Sequence, residues 1–335
     1  MSENFKHVFG PVPSRRLGRS LGVDLVPFKT CTFDCIYCQL GRTTRKTVKR
    51  KEWAPMDAVL EELKRKLACR PDYITLSGSG EPTLHSRLGE IIEHIRAMTA
   101  LPVAVLTNGS LLWQPQVRAE LAQANVVMPS LDAGDASKFN FINRPHASLS
   151  FEQVVEGLIS FRGEFTGRYW LEVFLLAGYT AILADVDHIA ALVRKIRPDR
   201  VQLNTVARPP AEEFALSAAP EELARLACRF HPRAEVVAER RLRLTHKAQR
   251  LDARAVFDLL LRRPCTAADV ARGLGVNGLE TLKRLEALVA RGGIETPRHE
   301  GEIYYRASAI PSGDPPGASS RCPKKRTTNK RRHIS

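Results

Sequence analysis

Residues 29–41 read KTCTFDCIYCQLG and place cysteines at positions 31, 35 and 38. Three thiolates so spaced suit a cubane iron–sulfur cluster, because one short loop can bring three sulfurs to three irons. The fourth iron is then open to a substrate or a cofactor. The segment therefore predicts a metal cluster with Cys31, Cys35 and Cys38 as its protein ligands.

Zinc is the alternative occupant of this segment. A structural zinc site needs four ligands in a tetrahedral arrangement, and no further Cys or His follows nearby in the chain. A fourth ligand could come only through the fold, from the remaining single cysteines, which are Cys69, Cys228, Cys265 and Cys322.

The cysteine motif, with Tyr37 before the last cysteine and Gly41 soon after, resembles the signature of the radical S-adenosylmethionine (radical SAM) superfamily. The resemblance covers about the first 235 residues. Its further motifs follow in the superfamily's order and are SGSGEP at 77–82, LTNG at 106–109, PSLD at 129–132 and LEVFL at 171–175.

Two other segments are similar to a narrower group, a bacterial and archaeal branch of iron–sulfur oxidoreductases related to the wyosine-synthesising tRNA enzymes. They are FGPVPSRRLGRSLGVD at 9–24 and VQLNTVARPPAE at 201–212. Wyosine-synthesising enzymes use an additional upstream cysteine set for a second cluster, and here no cysteine precedes Cys31. Wyosine synthesis itself is therefore not expected, whereas a related substrate stays open.

The resemblance implies two cofactors, a 4Fe-4S cluster on the three cysteines and S-adenosyl-L-methionine on its open iron. Electron transfer from the reduced cluster would cleave this molecule to a 5'-deoxyadenosyl radical, and the electron would come from a flavodoxin or ferredoxin-type reductant. Glycines in the 77–82 segment let backbone groups approach a ligand closely. The residues implied to bind S-adenosyl-L-methionine are Tyr37 (adenine), Gly78, Gly80 and Glu81 (ammonium), Thr107, Asn108, Ser130 and Asp132 (ribose and methionine), and Asn204.

Short apolar runs alternate with amphipathic stretches from residue 21 to about 228, which indicates strands joined by crossover helices. Six such units predict an α/β fold, a partial parallel barrel, as the resemblance also implies. The predicted strands are 21–26, 73–76, 103–106, 126–128, 170–175 and 200–203, and the predicted helices are 57–67, 86–98, 114–123, 151–161, 185–196 and 221–228. The motifs follow successive strands and should meet at one end of the barrel, where catalytic loops of parallel barrels gather.

The chain divides into four predicted parts: the catalytic barrel (1–235), a basic linker (236–250), a winged-helix-like domain (251–306) and a disordered basic tail (307–335). In the third part, Thr266 and Asp269 predict a capping box, and 294–296 and 302–305 predict a hairpin. A winged helix often binds nucleic acid, but this one mixes Lys283 and Arg284 with acidic residues, so docking to protein or a structural role stays open.

The net charge of +15 favours anionic partners. A basic run, 42–51, leaves the cysteine loop directly, and its cations are expected near the active-site mouth, where they would favour RNA. No stretch approaches the roughly 20 apolar residues of a membrane span, no apolar signal peptide is evident, and an odd count of seven cysteines favours metal ligation over disulfides. A cytoplasmic protein is therefore predicted.

Three functions are compatible with these observations. The favoured one is a radical SAM enzyme that modifies RNA, most naturally tRNA. The second is a radical SAM enzyme that acts on a protein or a small metabolite and uses the winged helix for docking. The third is a non-enzymatic iron–sulfur redox sensor that binds DNA, which would have no use for a complete S-adenosylmethionine pocket.

Overall fold

A computed structural model describes residues 6–14, 16–237, 253–274 and 276–307. Its strands are β1 (Val8–Ser14), β2 (Gly18–Val23), β3 (Thr30–Cys31), β4 (Arg45–Lys46), β5 (Tyr73–Leu76), β6 (Val103–Thr107), β7 (Val126–Pro129), β8 (Arg168–Phe174), β9 (Arg200–Asn204), β10 (Glu235–Val236), β11 (Ile294–Glu295), β12 (Arg298–His299), β13 (Glu302–Ile303) and β14 (Arg306–Ala307).

The α-helices are α1 (Met56–Lys66), α2 (Leu88–Met98), α3 (Pro115–Leu121), α4 (Ala136–Ile142), α5 (Phe151–Glu164), α6 (Leu183–Ile196), α7 (Pro220–Leu226), α8 (Ala253–Arg262), α9 (Ala267–Leu274) and α10 (Gly278–Ala290). Short 3-10 helices span Leu67–Cys69, Pro82–Leu84 and Ala227–Arg229. Within the described residues, no helix combines the length and the apolar character that crossing a membrane requires.

One eight-stranded sheet organises the molecule, in the order β1-β2-β5-β6-β7-β8-β9-β10. The six strands from β2 to β9 in this order pair in parallel, each with the next one along the chain. This arrangement confirms the predicted α/β fold of parallel strands with helical crossovers. Strand β10, which the sequence did not predict, adds a seventh parallel strand beside β9. Apolar side chains are buried on both sides of it: all four residues of β7 are buried, and so are Ile91, Ile92 and Ile95 of α2.

The sequence did not predict β1, which pairs antiparallel with β2 at the edge of the sheet. Glu62 of α1 fixes its start, because the Glu62 carboxylate accepts hydrogen bonds from the backbone N–H groups of Lys6, His7 and Val8 at 2.7–2.9 Å. These three donors also explain how a carboxylate tolerates burial there. No local sequence pattern indicates a contact that joins segments more than 50 residues apart.

Helix α4 was also missed, in the stretch between the PSLD motif and α5. Asp135 caps its first turn by accepting the backbone N–H of Lys138 at 2.9 Å, which is the usual role of Asp before a helix. The helix has only seven residues, so it offers too few turns for an apolar periodicity to be recognised.

The region predicted as a separate domain, described over 253–274 and 276–307, is called the C-terminal domain below, and its division from the barrel stays a prediction. It contains α8, α9, α10 and two short pairs of strands. Thr266 and Asp269 form the predicted capping box. The predicted hairpin register was wrong: Ile294 pairs with Ala307, and Arg298 pairs with Ile303. The extra pair forms because residues Glu300 and Gly301 have positive φ and make a tight turn. The winged-helix assignment stays a prediction.

This domain packs on the barrel. Arg262 at the end of α8 pairs with Asp24, and the Tyr304 hydroxyl donates to the carbonyl of Ala207 at 3.1 Å. Strand β10 extends one residue into the predicted linker. The rest of the linker (238–250) and the tail from 308 lie outside the described residues.

Candidate functional site

The cysteine loop follows β2 and is fixed to the 77–82 segment, which follows β5. Two backbone hydrogen bonds join them, from Lys29 N–H to the Ser79 carbonyl at 2.7 Å and from Glu81 N–H to the Thr30 carbonyl at 3.1 Å. Gly80 permits this approach, since a Cβ there would lie 1.8 Å from the Thr30 oxygen. Two predicted motifs are thus in direct contact.

Cys31, Cys35 and Cys38 line one cavity of about 460 Å³. A turn shapes the loop, because Cys38 N–H donates to the Cys35 carbonyl at 3.1 Å. Two amides contact the sulfurs at 3.5 Å: Asn108 Nδ2 donates to Cys31 Sγ, and Asn143 Nδ2 donates to Cys35 Sγ. Hydrogen bonds to the sulfurs are one means by which a protein tunes the potential of an iron–sulfur cluster.

The donor set fits a cubane cluster better than a single ion. In the described part of the chain, no three His, Cys, Asp or Glu side chains converge where one metal ion could sit. A cubane needs a different arrangement, because each thiolate binds its own iron. Burial raises the pKa of Cys31 to about 12 and raises the pKa of Cys35 and Cys38 as well. Three thiolates therefore require nearby positive charge, which irons would supply.

Glu81 forms a buried hydrogen-bond network. Its Oε1 accepts the Thr83 and Thr107 hydroxyls, both at 2.6 Å, and the Thr83 N–H at 3.1 Å, while Oε2 accepts the Asn108 N–H at 2.8 Å. Burial raises the Glu81 pKa, and these donors oppose that rise. The carboxylate therefore ties the loop after β5 to the loop after β6 and sets the position of Asn108.

Asp132 has a similar holding role, although it does not line the cavity. It accepts the Tyr37 hydroxyl, Asn143 Nδ2 at 2.9 Å and the Phe174 N–H at 3.1 Å. The Tyr37 ring stacks on Phe174 with centroids 3.9 Å apart. Asp132 therefore positions the cysteine loop through Tyr37 and Asn143, and its sequence-based assignment as a direct ligand contact has no support from this geometry.

The cavity brings together the other predicted site residues: Cys31, Cys35, Cys38, Tyr37, Gly78, Gly80, Glu81, Thr107, Asn108, Ser130 and Asn204. Asn143 was missed by sequence reasoning. It follows the short helix α4, and its side chain reaches both a cysteine and Asp132. An asparagine in a helix-terminal position carries no sequence signal that would separate this role from a capping role.

The C-terminal domain contributes to the same cavity, which the sequence did not predict. Its lining residues are Leu259, Arg262, Arg263, Asp269 and Arg272. The cations of the basic run 42–51, by contrast, do not line the cavity. Arg50 pairs with Glu120, Arg42 pairs with Glu212, and Lys51 lies 4.0 Å from the Trp53 ring centroid. The cations that line the cavity are Arg16, Lys29, Arg208, Arg262, Arg263 and Arg272, and none of them belongs to the basic run.

Comparisons with known proteins agree with this architecture. Residues 25–167 match the family model described as the radical SAM superfamily. A UPF0026 protein of Synechocystis sp. is 40% identical over 210 residues, which are 62% of this chain and 78% of that protein. A Brachyspira hyodysenteriae protein named GTPase Obg is 38% identical over 308 residues, 90% of this chain but only 45% of that protein, so this chain spans less than half of it.

A solved structure shares the fold. The crystal structure of a radical SAM methyltransferase from Sphaerobacter thermophilus matches with a TM-score of 0.51 at 18% identity, covering 65% of this chain and 65% of that one. At this identity the likeness concerns the architecture of the sheet and its helices.

Proposed function

We propose that this chain cleaves S-adenosylmethionine to a 5'-deoxyadenosyl radical in the cavity that contains its three loop cysteines. The chain belongs to the radical SAM superfamily and to the UPF0026 family. One observation carries the proposal: the loop cysteines and the residues of four further motifs line a single cavity. Members of the radical SAM superfamily bind a 4Fe-4S cluster and S-adenosylmethionine. The cluster would supply the electron that breaks the carbon–sulfur bond.

In this proposal the chain's own residues hold and orient the cofactors. Cys31, Cys35 and Cys38 would bind three irons, with the amides of Asn108 and Asn143 directed at two of the sulfurs. The backbone of the 77–82 segment would accept the ammonium group, because Glu81 already engages both of its oxygens with internal donors. A flavodoxin or ferredoxin would deliver the electron in the cytoplasm, where cysteines stay reduced.

RNA, in particular tRNA, is the substrate class we propose. The support is the net charge of +15 together with the arginines that the C-terminal domain places in the cavity, since RNA is recognised partly through its phosphates. The name of the Brachyspira relative does not suggest GTP hydrolysis here, because this sequence contains no Gly-Lys pair and therefore no P-loop.

The first experiment measures 5'-deoxyadenosine. The full chain is reconstituted anaerobically with iron and sulfide, reduced, and given S-adenosylmethionine with and without bulk tRNA. Wild type should form the product and Cys35→Ala should not, whereas Cys69→Ala, a change at an exposed cysteine, should behave as wild type. Equal amounts of 5'-deoxyadenosine from Cys35→Ala and from wild type would contradict the proposal.

The substrate class has its own test. The nucleosides of tRNA from a deletion strain are compared with those of the parent strain, and the purified protein is tested for stimulation of 5'-deoxyadenosine formation by tRNA. We expect the tRNA of the deletion strain to lack a modified nucleoside or to contain an altered one. If the nucleoside profile is unchanged and tRNA does not stimulate 5'-deoxyadenosine formation, an RNA substrate is contradicted. A protein or a small metabolite would then be the favoured substrate.

A further inference from the structure

Three arginines from different segments meet in the cavity that holds the cysteines. Arg208 lies in the loop after β9, Arg263 directly follows α8, and Arg272 is on α9. Arg208 belongs to the VQLNTVARPPAE segment, to which the proposed cleavage of S-adenosylmethionine assigns no role beyond Asn204. The barrel and the C-terminal domain together build this arginine cluster (Arg208, Arg263, Arg272).

Asp269 contacts two of these arginines. Asp269 accepts from Arg272 at 2.8 Å and lies 3.9 Å from Arg208. Arg263 forms no ion pair with any carboxylate of the described ranges 6–14, 16–237, 253–274 and 276–307. Arg263 therefore adds a positive charge to the cluster that no carboxylate among the described residues pairs.

The two arginines that share Asp269 are largely shielded from water. The Arg208 side chain is 13% exposed and the Arg272 side chain 26%. Arg263 and Arg208 also act on the same buried thiol, Cys265, whose pKa is raised by burial and lowered by these two cations. Clustered guanidinium groups with little exposure gain strongly from a bound anion, because a low local dielectric strengthens the attraction.

Guanidinium groups suit a phosphate in particular. Their planar donors match its oxygens two at a time, which provides both affinity and orientation. A phosphate here would share the cavity with the cofactor-binding residues, which is where a substrate must lie for hydrogen abstraction.

We infer that Arg208, Arg263 and Arg272 form a binding site for a phosphate group of the substrate, with an RNA phosphate as its source. The inference rests on the proposed function and adds to it the group by which the substrate is held. The C-terminal domain then takes part in substrate binding, and the barrel supplies the cofactor site.

Equilibrium binding by the reconstituted full chain tests the inference. The probes are bulk tRNA and adenosine 5'-monophosphate, each without S-adenosylmethionine, and S-adenosylmethionine alone. Arg263→Gln should weaken tRNA binding about tenfold and reduce the slope of log K against log salt by about 0.7 to 0.9. Arg263→Lys keeps the charge and should therefore lose less affinity for tRNA than Arg263→Gln does. The matched control is Arg284→Gln on the exposed side of α10, which should bind as wild type does.

The outcomes separate the sources of the phosphate. If Arg263→Gln binds tRNA more weakly than wild type does, the phosphate held by the cluster belongs to RNA. If only adenosine 5'-monophosphate binds more weakly, the same site holds the phosphate of a small substrate. Unchanged binding of both probes by Arg263→Gln overturns the inference, as does wild type that binds neither. Weaker binding of S-adenosylmethionine alone also overturns it, since the arginine would then serve the cofactor carboxylate. Formation of 5'-deoxyadenosine by wild type is measured separately, so failure of the proposed function is distinguishable.

Discussion

Arg262 Nε donates a 2.8 Å hydrogen bond to Oδ2 of Asp24, across a sequence separation of 238 residues. Both side chains are largely buried, with exposures of 11% and 7%. Asp24 also accepts the Ser79 N–H at 2.8 Å through its other oxygen. The C-terminal domain is thereby linked, through one carboxylate, to the glycine-rich 77–82 segment.

Arg262→Gln should destabilise the protein by about 3–5 kcal/mol and weaken S-adenosylmethionine binding. Burial raises the Asp24 pKa and Arg262 opposes that rise, so without the cation this buried carboxyl would carry an unpaired charge or take up a proton. Urea unfolding and equilibrium binding measure the two effects. The control is Arg306→Gln, which breaks an exposed pair with Glu295 and should change stability by no more than about 1 kcal/mol. Equal effects of the two variants would show that the Asp24 contact has no special importance.

Glu81→Gln should weaken S-adenosylmethionine binding and reduce the free energy of unfolding by about 1–3 kcal/mol. An amide can retain an oxygen toward Thr83 and Thr107, but its NH₂ group would then face the N–H of Asn108, which Oε2 now accepts. Calorimetric binding and thermal unfolding provide the measurements. Glu90→Gln on the exposed face of α2 is the matched change. If both variants bind the cofactor as wild type does, the network does not organise the site.

Gly80→Ala should abolish cluster incorporation, because its Cβ would lie 1.8 Å from the Thr30 carbonyl, a backbone atom that cannot move aside without displacing the cysteine loop. Iron content and the visible absorbance after reconstitution report the loss. Gly163→Ala in α5 is the control, since nothing lies within 4 Å of its added Cβ, and it should be neutral or stabilising by up to about 1 kcal/mol. Full iron content in Gly80→Ala would contradict the close approach of the two loops.

Glu212→Gln should destabilise the protein at neutral pH and have progressively less effect in acid. Hydrogen bonds and charge interactions with Arg144 and Arg42 hold the Glu212 pKa below its usual range. A carboxylate with a depressed pKa in the folded state contributes stability above its unfolded pKa of about 4.3 and loses it as pH falls through the folded value. Thermal unfolding of wild type and Glu212→Gln between pH 7 and 3 measures the difference in stability. A stability difference that became larger in acid would contradict the prediction.

The sequence predicted the repeating part of the fold well. Strand β5 lies where the apolar run at 73–76 indicated, and the other parallel strands agree within a few residues, because each is a buried apolar run bounded by polar turns. Edge strand β1 contains two prolines and a bulge near Gly10, so it has neither the alternation nor the composition of a typical strand.

The lining of the cavity was predictable where its residues lie in short motifs, as with the loop cysteines and Glu81, whose roles as ligands stay predictions. It was not predictable where contacts join distant segments. The amide of Asn143 reaches Cys35 over a separation of 108 residues, and Arg263 enters the cavity from another domain. The ion pairs of the basic run 42–51 were not predictable either, since they use partners such as Glu120 that only the folded chain brings near.

The placement of Leu259, Arg262 and Arg263 in the cavity wall has a consequence for the order of events during synthesis. The cysteine loop leaves the ribosome more than 200 residues before these side chains, so the proposed cluster site would exist before that side of the cavity is in place. Iron and sulfide delivered in this interval would meet an open site. Docking of α8 afterwards would enclose the cluster and complete the chamber around it.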